Sequence, residues 1–187
     1  MIKSRRSMRL KDHDYTQGGY YYFITICTQD FADRFGKIIN GQMQMNKPGY
    51  MILDIWNELP NRFVGIELDE YVIMPNHLHA IIHVGAPLVG ARNSAPHRAG
   101  TRPAPTLTQV IGAFKSITTK KYIDGIKNNH WRPFIDKLWQ RSFHDHIIRN
   151  DSSLDKIRQY ILDNPINWPN DPDNNQLEAN YASLSRL

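Results

Sequence analysis

Residues 71–84 read YVIMPNHLHAIIHV and are the most informative stretch of the sequence. Apolar and β-branched residues lie on both sides of the Pro75-Asn76 pair, which is typical of two neighbouring strands joined by a short turn. Residues two apart in a strand point to the same side, so His77 and His79 project together. The residues between them face an apolar interior. The stretch therefore predicts a strand that carries a histidine pair on one face.

The elements predicted on either side of this stretch complete a sheet with helices. The Asn40-Gly41 pair is typical of a tight hairpin turn. Strands are predicted at 20–28, 35–39, 42–46, 66–74, 77–84 and 138–148. Helices are predicted to end at Pro60, to begin after Thr106 or Thr108, and to run from a cap at Asp151 or Ser152 to Asn164. This order predicts an α+β fold, an antiparallel sheet with helices packed mainly on one face.

The length and the charge favour one basic domain. The chain has 187 residues, enough for a single compact domain, with a formal net charge of +5. The excess of positive charge favours a polyanionic partner. We predict a basic arm at 1–14, a folded domain at 15–168 interrupted by a flexible insertion at 85–105, and a loosely held tail at 169–187.

Several classes of protein are disfavoured by what the sequence lacks. No run of apolar residues approaches the ~20 that a membrane helix requires. The first residues have no apolar core of a secretory signal, so we expect a cytoplasmic protein with no membrane partner. Cys27 is the only cysteine and sits in an apolar run, which indicates a buried, inert thiol and rules out an internal disulfide.

A histidine pair on one strand can chelate a divalent ion. The alternative is that His77 and His79 are ordinary surface histidines on a half-exposed strand. His83 shares their face but lies further along. His144 and His146 have the same spacing in a more polar setting, and we interpret them as a sheet-surface or DNA-facing pair.

The last predicted helix carries a second candidate pair. Tyr160 and Asn164 are four residues apart, so they stack on one helix face about 6 Å apart along the axis. Asn164 offers an amide oxygen for a hard cation, and Tyr160 offers a phenol. The alternative for Tyr160 is simple packing beside the apolar stripe of its helix. A tyrosine phenol is only ~0.1% ionised at neutral pH, and we consider Lys115, Lys120, Lys121 and Lys156 as groups that could increase this fraction.

Together these motifs resemble the single-tyrosine transposases of the HUH class, named for histidine-hydrophobe-histidine. The resemblance rests on MPNHLH at 74–79 and YILDNP at 160–165, with GGYYYFITICT at 18–28 pointing to the REP-associated tyrosine transposase branch. It extends from about Tyr15 to about Asn167. It implies a ferredoxin-like, or RRM-like, core, the use of Mg²⁺ or Mn²⁺, and action on single-stranded DNA folded into hairpins.

The resemblance also implies a role for each motif residue. His77 and His79 match the metal ligands, Tyr160 matches the nucleophile, and Asn164 matches a polar amide that completes the metal site. The basic arm corresponds to a region that helps to recognise DNA, and the insertion at 85–105 is longer than the family pattern. We predict phosphate contacts for a set of basic residues, namely Lys3, Arg5, Arg6, Arg9, Lys11 and Lys115.

The reaction implied is DNA cleavage and rejoining through a 5′-phosphotyrosyl link, which conserves the energy of the broken bond without ATP. Three alternatives remain open from the sequence: a non-catalytic DNA-binding protein, a metal-dependent phosphodiesterase that uses water, and a structural protein. The sequence also leaves open whether the protein acts as a monomer or as a homodimer with shared active sites.

Overall fold

The computed structural model describes residues 19–85 and 105–174. The α+β class predicted from the sequence is confirmed. The elements, in chain order, are β1 (Tyr20–Cys27), β2 (Gly36–Ile39), β3 (Gln42–Met45), α1 (Lys47–Asn57), α2 (Leu59–Arg62), β4 (Ile66–Ile73), β5 (His77–Val84), α3 (Leu107–Asn129), β6 (His144–Ile148), α4 (Asp151–Asn167) and a 3-10 turn (Trp168–Asn170).

Four strands form one antiparallel sheet in the order β4-β5-β1-β6, and β2 pairs with β3 in a separate hairpin. Helix α1 lies in the connection from β1 to β4, and α3 lies in the connection from β5 to β6. The sheet therefore has the β-α-β-β-α-β connectivity of a ferredoxin-like fold. The strand with the histidine pair, β5, is one of the two central strands.

Alternation along the strands divides the sheet into two packed faces. Leu78 and Ala80 of β5 enter the main core, which includes buried residues of α1 and α3. Ile81 faces the other way into a smaller cluster with Leu154 and Ile161 of α4. The expectation of helices mainly on one face is confirmed, and α4 is the helix that packs on the second face. We call this second face, which carries His77 and His79, the site face.

Two predicted turn features have different outcomes. The Asn40-Gly41 turn is confirmed, with φ of 51° and 72° at the two residues, as a tight hairpin requires. The helix predicted to end at Pro60 instead ends at Asn57, and Pro60 lies in the first turn of α2. Proline is tolerated there because first-turn N–H groups have no partner within the helix.

The prediction for the last helix was wrong at both ends. Asn150 caps α4, its side chain accepting from the N–H of Ser153, where Asp151 or Ser152 was expected. The helix continues through Pro165 to Asn167. A proline inside a helix removes a backbone hydrogen bond, and packing of the buried Ile161 and Asn164 offsets this loss.

The segment after α4 and the last strand also differ from expectation. The tail is packed where the structure describes it, since Asp171, Asp173 and Asn174 are all about 6% exposed. Strand β6 begins only at His144, and Trp139 forms an isolated bridge with Thr28. Local apolar alternation indicated a longer strand, but pairing with β1 determines the observed length.

The predicted basic arm, most of the 85–105 insertion and the end of the tail lie outside the described residues. Lys3, Arg5, Arg6, Arg9 and Lys11 therefore remain predictions. Within the described ranges, no helix is both long and apolar enough to cross a membrane.

Candidate active site

Strand β5 places His77 and His79 side by side and buried on the site face. The two side chains are 0% and 4% exposed, and their ring centroids lie 4.4 Å apart. Asn76, in the turn before β5, is fully buried and donates its amide N–H groups to the carbonyls of Phe31 at 2.9 Å and Asp173 at 2.7 Å. Its Oδ1 lies 2.8 Å from Nδ1 of His77. Because Oδ1 can only accept, Nδ1 of His77 carries the proton and Nε2 is left as a potential ligand.

His79 is held by its neighbours on the central strand β1. Its Nδ1 lies 2.9 Å from Oγ1 of Thr25, the residue directly opposite in the register. Its ring stacks on Phe23, with centroids 5.4 Å apart. Metal-binding histidines are usually oriented by a second group, which hydrogen-bonds the ring nitrogen that does not bind the metal.

Helix α4 brings Tyr160 to the histidines and carries Asn164 one turn later. The hydroxyl oxygen of Tyr160 lies 3.4 Å from Nε2 of His79, and the side chain is 47% exposed. Asn164, one turn later, is 2% exposed. Its buried Oδ1 has no hydrogen-bond partner among the residues that the structure describes. The structure thus brings together His77, His79 and Tyr160 within one chain, with the buried Asn164 one helical turn from Tyr160.

An ion pair fixes α4 over the edge of the sheet. Arg158 donates from Nε to Oδ1 of Asp69 at 2.8 Å and from a terminal nitrogen to Oδ2 at 2.6 Å. Asp69 lies on β4, against which α4 packs. The hydrogen bonds from Arg158 hold the pKa of the Asp69 carboxyl below its ordinary value. This two-point contact ties the helix that carries Tyr160 to β4.

Asp171 is a site residue that the sequence did not reveal. Ligand atoms of His77, His79 and Asp171 all lie within 4.8 Å of one another, and the three side chains are buried. Asp171 follows the 3-10 turn, in which Trp168 packs 5.9 Å from the His77 ring. Its Oδ1 accepts from the backbone N–H of Asp173 at 2.7 Å. The polar segment that carries Asp171 has no sequence periodicity that predicts packing. Only its burial in the folded structure reveals it.

The donor set suits a divalent cation. Two imidazoles, a carboxylate and an amide oxygen match Mn²⁺, Mg²⁺ or Zn²⁺ by ligand chemistry. A buried oxygen without a hydrogen bond costs ~1–3 kcal/mol, and a cation at Asn164 Oδ1 would remove that cost. Ligand atoms of one ion lie at most ~4.2 Å apart, twice a bond length of ~2.1 Å, so His77, His79 and Asp171 need only a small approach to share an ion.

The four lysines considered as groups that could increase the ionised fraction of Tyr160 lie on two helices. Lys115, Lys120 and Lys121 are on α3, which packs on the face opposite the site face. The Lys115 ammonium donates to the carbonyls of Gln140 and Ser142, both at 2.9 Å, and burial lowers its pKa to about 8. Lys156 is exposed on α4, one turn before Tyr160. Of the four, Lys156 is the one on the same helix as Tyr160.

The second histidine pair lies on β6. In the register between β6 and β1, His144 lies opposite Thr25 and His146 lies opposite Phe23. His144 is half-buried and His146 is exposed.

Comparison with known proteins finds a relative in sequence and likenesses in structure. An uncharacterized protein of Haemophilus influenzae is 39% identical over 176 residues, which cover 91% of this chain and 93% of that protein. No model of a known protein family matches the chain. A REP-associated tyrosine transposase solved with a REP hairpin is similar with a TM-score of 0.48 and 16% identity, over 84% of this chain and 73% of that one. A proposed transposase of Deinococcus radiodurans R1 has a TM-score of 0.40 and 16% identity, over 82% of this chain and 95% of that one. At these scores, neither likeness carries an argument about activity.

Proposed function

The chain belongs to the same family as the uncharacterized Haemophilus influenzae protein, and from its own site we propose that it is a metal-dependent DNA strand transferase of the single-tyrosine HUH class. It cleaves and rejoins single-stranded DNA near hairpins through a 5′-phosphotyrosine intermediate. The observation that carries the proposal is the Tyr160 hydroxyl, 3.4 Å from Nε2 of His79 in a buried cluster of potential metal ligands.

The residues that would hold Mg²⁺ or Mn²⁺ are His77, His79 and Asp171, with Asn164 as a further oxygen ligand. The fit rests on their burial and on the hydrogen-bond deficit of Asn164 Oδ1. A bound divalent cation polarises a non-bridging phosphate oxygen and offsets the charge that develops there. Asn76 and Thr25 orient the two imidazoles, so the ligand set is arranged before any ion or DNA binds.

The bond changes begin at the half-exposed phenol. Tyr160 Oη attacks the phosphorus of a phosphodiester, an O–P bond forms, and the bond from phosphorus to the 3′ oxygen breaks. The phenolic proton passes to solvent, and the departing 3′ oxygen takes up a proton to become a hydroxyl. Attack on the phosphotyrosine by another 3′-hydroxyl reverses these changes and rejoins DNA.

Within one chain, Tyr160 lies beside the histidines that it needs. Of the two arrangements left open by the sequence, we therefore favour a monomer whose site is complete. A homodimer that exchanges its tyrosines is not required by this geometry.

The test is formation of a covalent adduct. Wild-type protein is incubated with a labelled single-stranded hairpin DNA and Mn²⁺, then denatured and separated by size. We expect a protein-linked band that is absent from Tyr160→Phe and from samples with EDTA. Tyr50→Phe is a matched control, because Tyr50 is similarly exposed but lies on α1.

The outcomes separate the alternatives. Cleavage that survives Tyr160→Phe but not His77→Ala indicates a phosphodiesterase that uses water. DNA binding with no adduct at any metal concentration indicates a non-catalytic DNA-binding protein. Absence of DNA binding at low salt indicates a structural protein. Each of these three results overturns the proposed reaction.

A further inference from the structure

Strand β6 brings a second histidine pair onto the site face. Thr25 of the central strand β1 lies directly opposite His79 of β5 and directly opposite His144 of β6. Residues opposite one another in neighbouring antiparallel strands share a face of the sheet. His144 is therefore in the same lateral row as His79, and His146 lies in the next row, opposite Phe23.

This second pair is available for a ligand other than the metal. The cluster of potential metal ligands found in the described residues consists of His77, His79 and Asp171. Thr25 separates His144 from that cluster, and opposite Cα atoms are about 4.5–5.5 Å apart per strand. His144 and His79 are thus about 10 Å apart at Cα, so the pair lies beside the metal centre.

Among residues 19–85 and 105–174, the surface around the pair is open beside Tyr160. Helix α4 packs chiefly on β4, with smaller contacts to β5 and β3. On the β1 and β6 side of the site face, Tyr21, Phe23 and His144 are half-buried and His146 is exposed. The ring of Tyr160 meets Phe23 edge-on, with centroids 5.9 Å apart. The open surface therefore continues directly from Tyr160.

The chemistry of this surface fits unpaired nucleotides. Aromatic and imidazole rings on a flat sheet stack on exposed bases, and ring N–H groups donate to phosphate oxygens. Asp145, the acidic residue between the histidines, is buried and by alternation points to the opposite face. Arg141 and Arg149 are exposed on either side of β6 and add positive charge. A duplex would keep its bases stacked inside and could not use the rings.

We propose that Phe23, His144 and His146 form the binding surface for the unpaired nucleotides that flank the bond attacked by Tyr160. The inference rests on the proposed function, because it takes Tyr160 as the point of attack. It adds a substrate-binding surface on β1 and β6, outside the metal centre. It also assigns the polar histidine pair of β6 a role in holding the strand.

The test measures binding without chemistry. In a Tyr160→Phe background, a fluorescein-labelled oligonucleotide of roughly 12 nucleotides, within the range of single-strand binding sites, is titrated with protein and followed by anisotropy. The same oligonucleotide annealed to its complement serves as the duplex probe. For His144→Ala with His146→Ala, we expect single-strand affinity to fall on the order of tenfold, while duplex affinity changes by less than about twofold.

Two controls separate a local effect from misfolding. The shift in thermal unfolding midpoint caused by Mn²⁺ should be the same in the double variant and its parent, since the metal centre is untouched. His130→Asn replaces another exposed histidine, at the end of α3, with a residue that tolerates its left-handed φ of 54°. This variant should bind the single strand like the parent.

Unchanged single-strand affinity in the double variant overturns the inference, even if Tyr160 forms the adduct. An equal loss for single strand and duplex also overturns it, because that result indicates general charge attraction. A selective loss with no adduct in the wild type leaves the binding surface standing and overturns the proposed reaction. The two proposals therefore fail in different experiments.

Discussion

Replacing Asn164 with leucine should stabilise the protein in the absence of metal and reduce the stabilisation that metal binding provides. Leucine has the same branching as asparagine but no polar atoms. Asn164 is 2% exposed, and its Oδ1 lacks a hydrogen bond within the described part of the chain. An unsatisfied buried polar atom costs ~1–3 kcal/mol, so we expect Asn164→Leu to raise the free energy of unfolding in EDTA by about 1–2 kcal/mol. For a domain of this size, each kcal/mol of stability shifts the thermal unfolding midpoint by about 2–4 °C.

With metal, this advantage of Asn164→Leu over the wild type should shrink or disappear. An ion at one hundred times its dissociation constant stabilises the folded wild type by about 2.7 kcal/mol. Loss of one oxygen ligand should weaken binding by at least about tenfold, equivalent to ~1.4 kcal/mol. The Mn²⁺-induced stabilisation of Asn164→Leu should therefore be smaller than that of the wild type by this amount or more.

The assay is thermal unfolding followed by circular dichroism, in EDTA and in a Mn²⁺ series. Asn167→Leu provides the matched control, because Asn167 is exposed near the end of the same helix. It should leave both the midpoint in EDTA and the Mn²⁺ shift close to wild type. If Asn164→Leu is less stable than the wild type in EDTA, or if its Mn²⁺ shift is unchanged, Asn164 is a structural residue and the reasoning is refuted.

Three further predictions concern individual charges. Asp171→Asn should lower Mn²⁺ affinity by roughly tenfold or more in calorimetric titration, and an unchanged affinity would remove Asp171 from the ligand set. The pKa of Asp69 is lowered in the folded protein. Its ion pair with Arg158 therefore stabilises the fold at pH values above the unfolded pKa, and this stabilisation is lost as the pH falls. The difference in urea midpoint between wild type and Asp69→Asn should vanish as the pH drops well below 4. The pKa of Lys115 is lowered to about 8 in the fold from an ordinary value of 10.5. Between these two pH values, the unfolded chain therefore binds more protons than the folded protein. Relative to Lys115→Met, wild-type stability to urea should rise as the pH increases from about 8 towards 10.5, and parallel pH profiles would contradict this.

Short-range periodicity explains which site features were predictable. The two-residue repeat of a strand places His77 and His79 on one face, and the 3.6-residue turn of a helix stacks Tyr160 over Asn164. Both pairs lie within five residues of sequence, so local backbone geometry alone determines their orientation. The order of the elements was likewise sufficient for the α+β class, an antiparallel sheet with helices mainly on one face.

The features that were mispredicted depend on packing or pairing. Pro165 was expected to end α4, yet the helix continues because buried neighbours stabilise its last turn. The polar segment at Asp171 was expected to be loose, yet it packs against the histidines. Composition reports the average tendency of a segment, and here specific contacts outweighed that tendency.

The sequence by itself determined a histidine strand and a helix with a phenol and an amide, because each is a repeat over a few residues. Only the tertiary structure decided that they meet. Tyr160 and His79 are 81 residues apart, and their approach requires α4 to cross the edge of the sheet, where Arg158 holds it to Asp69. Such contacts arise from the whole fold, because loop closure and packing of distant segments leave no periodic trace in the chain.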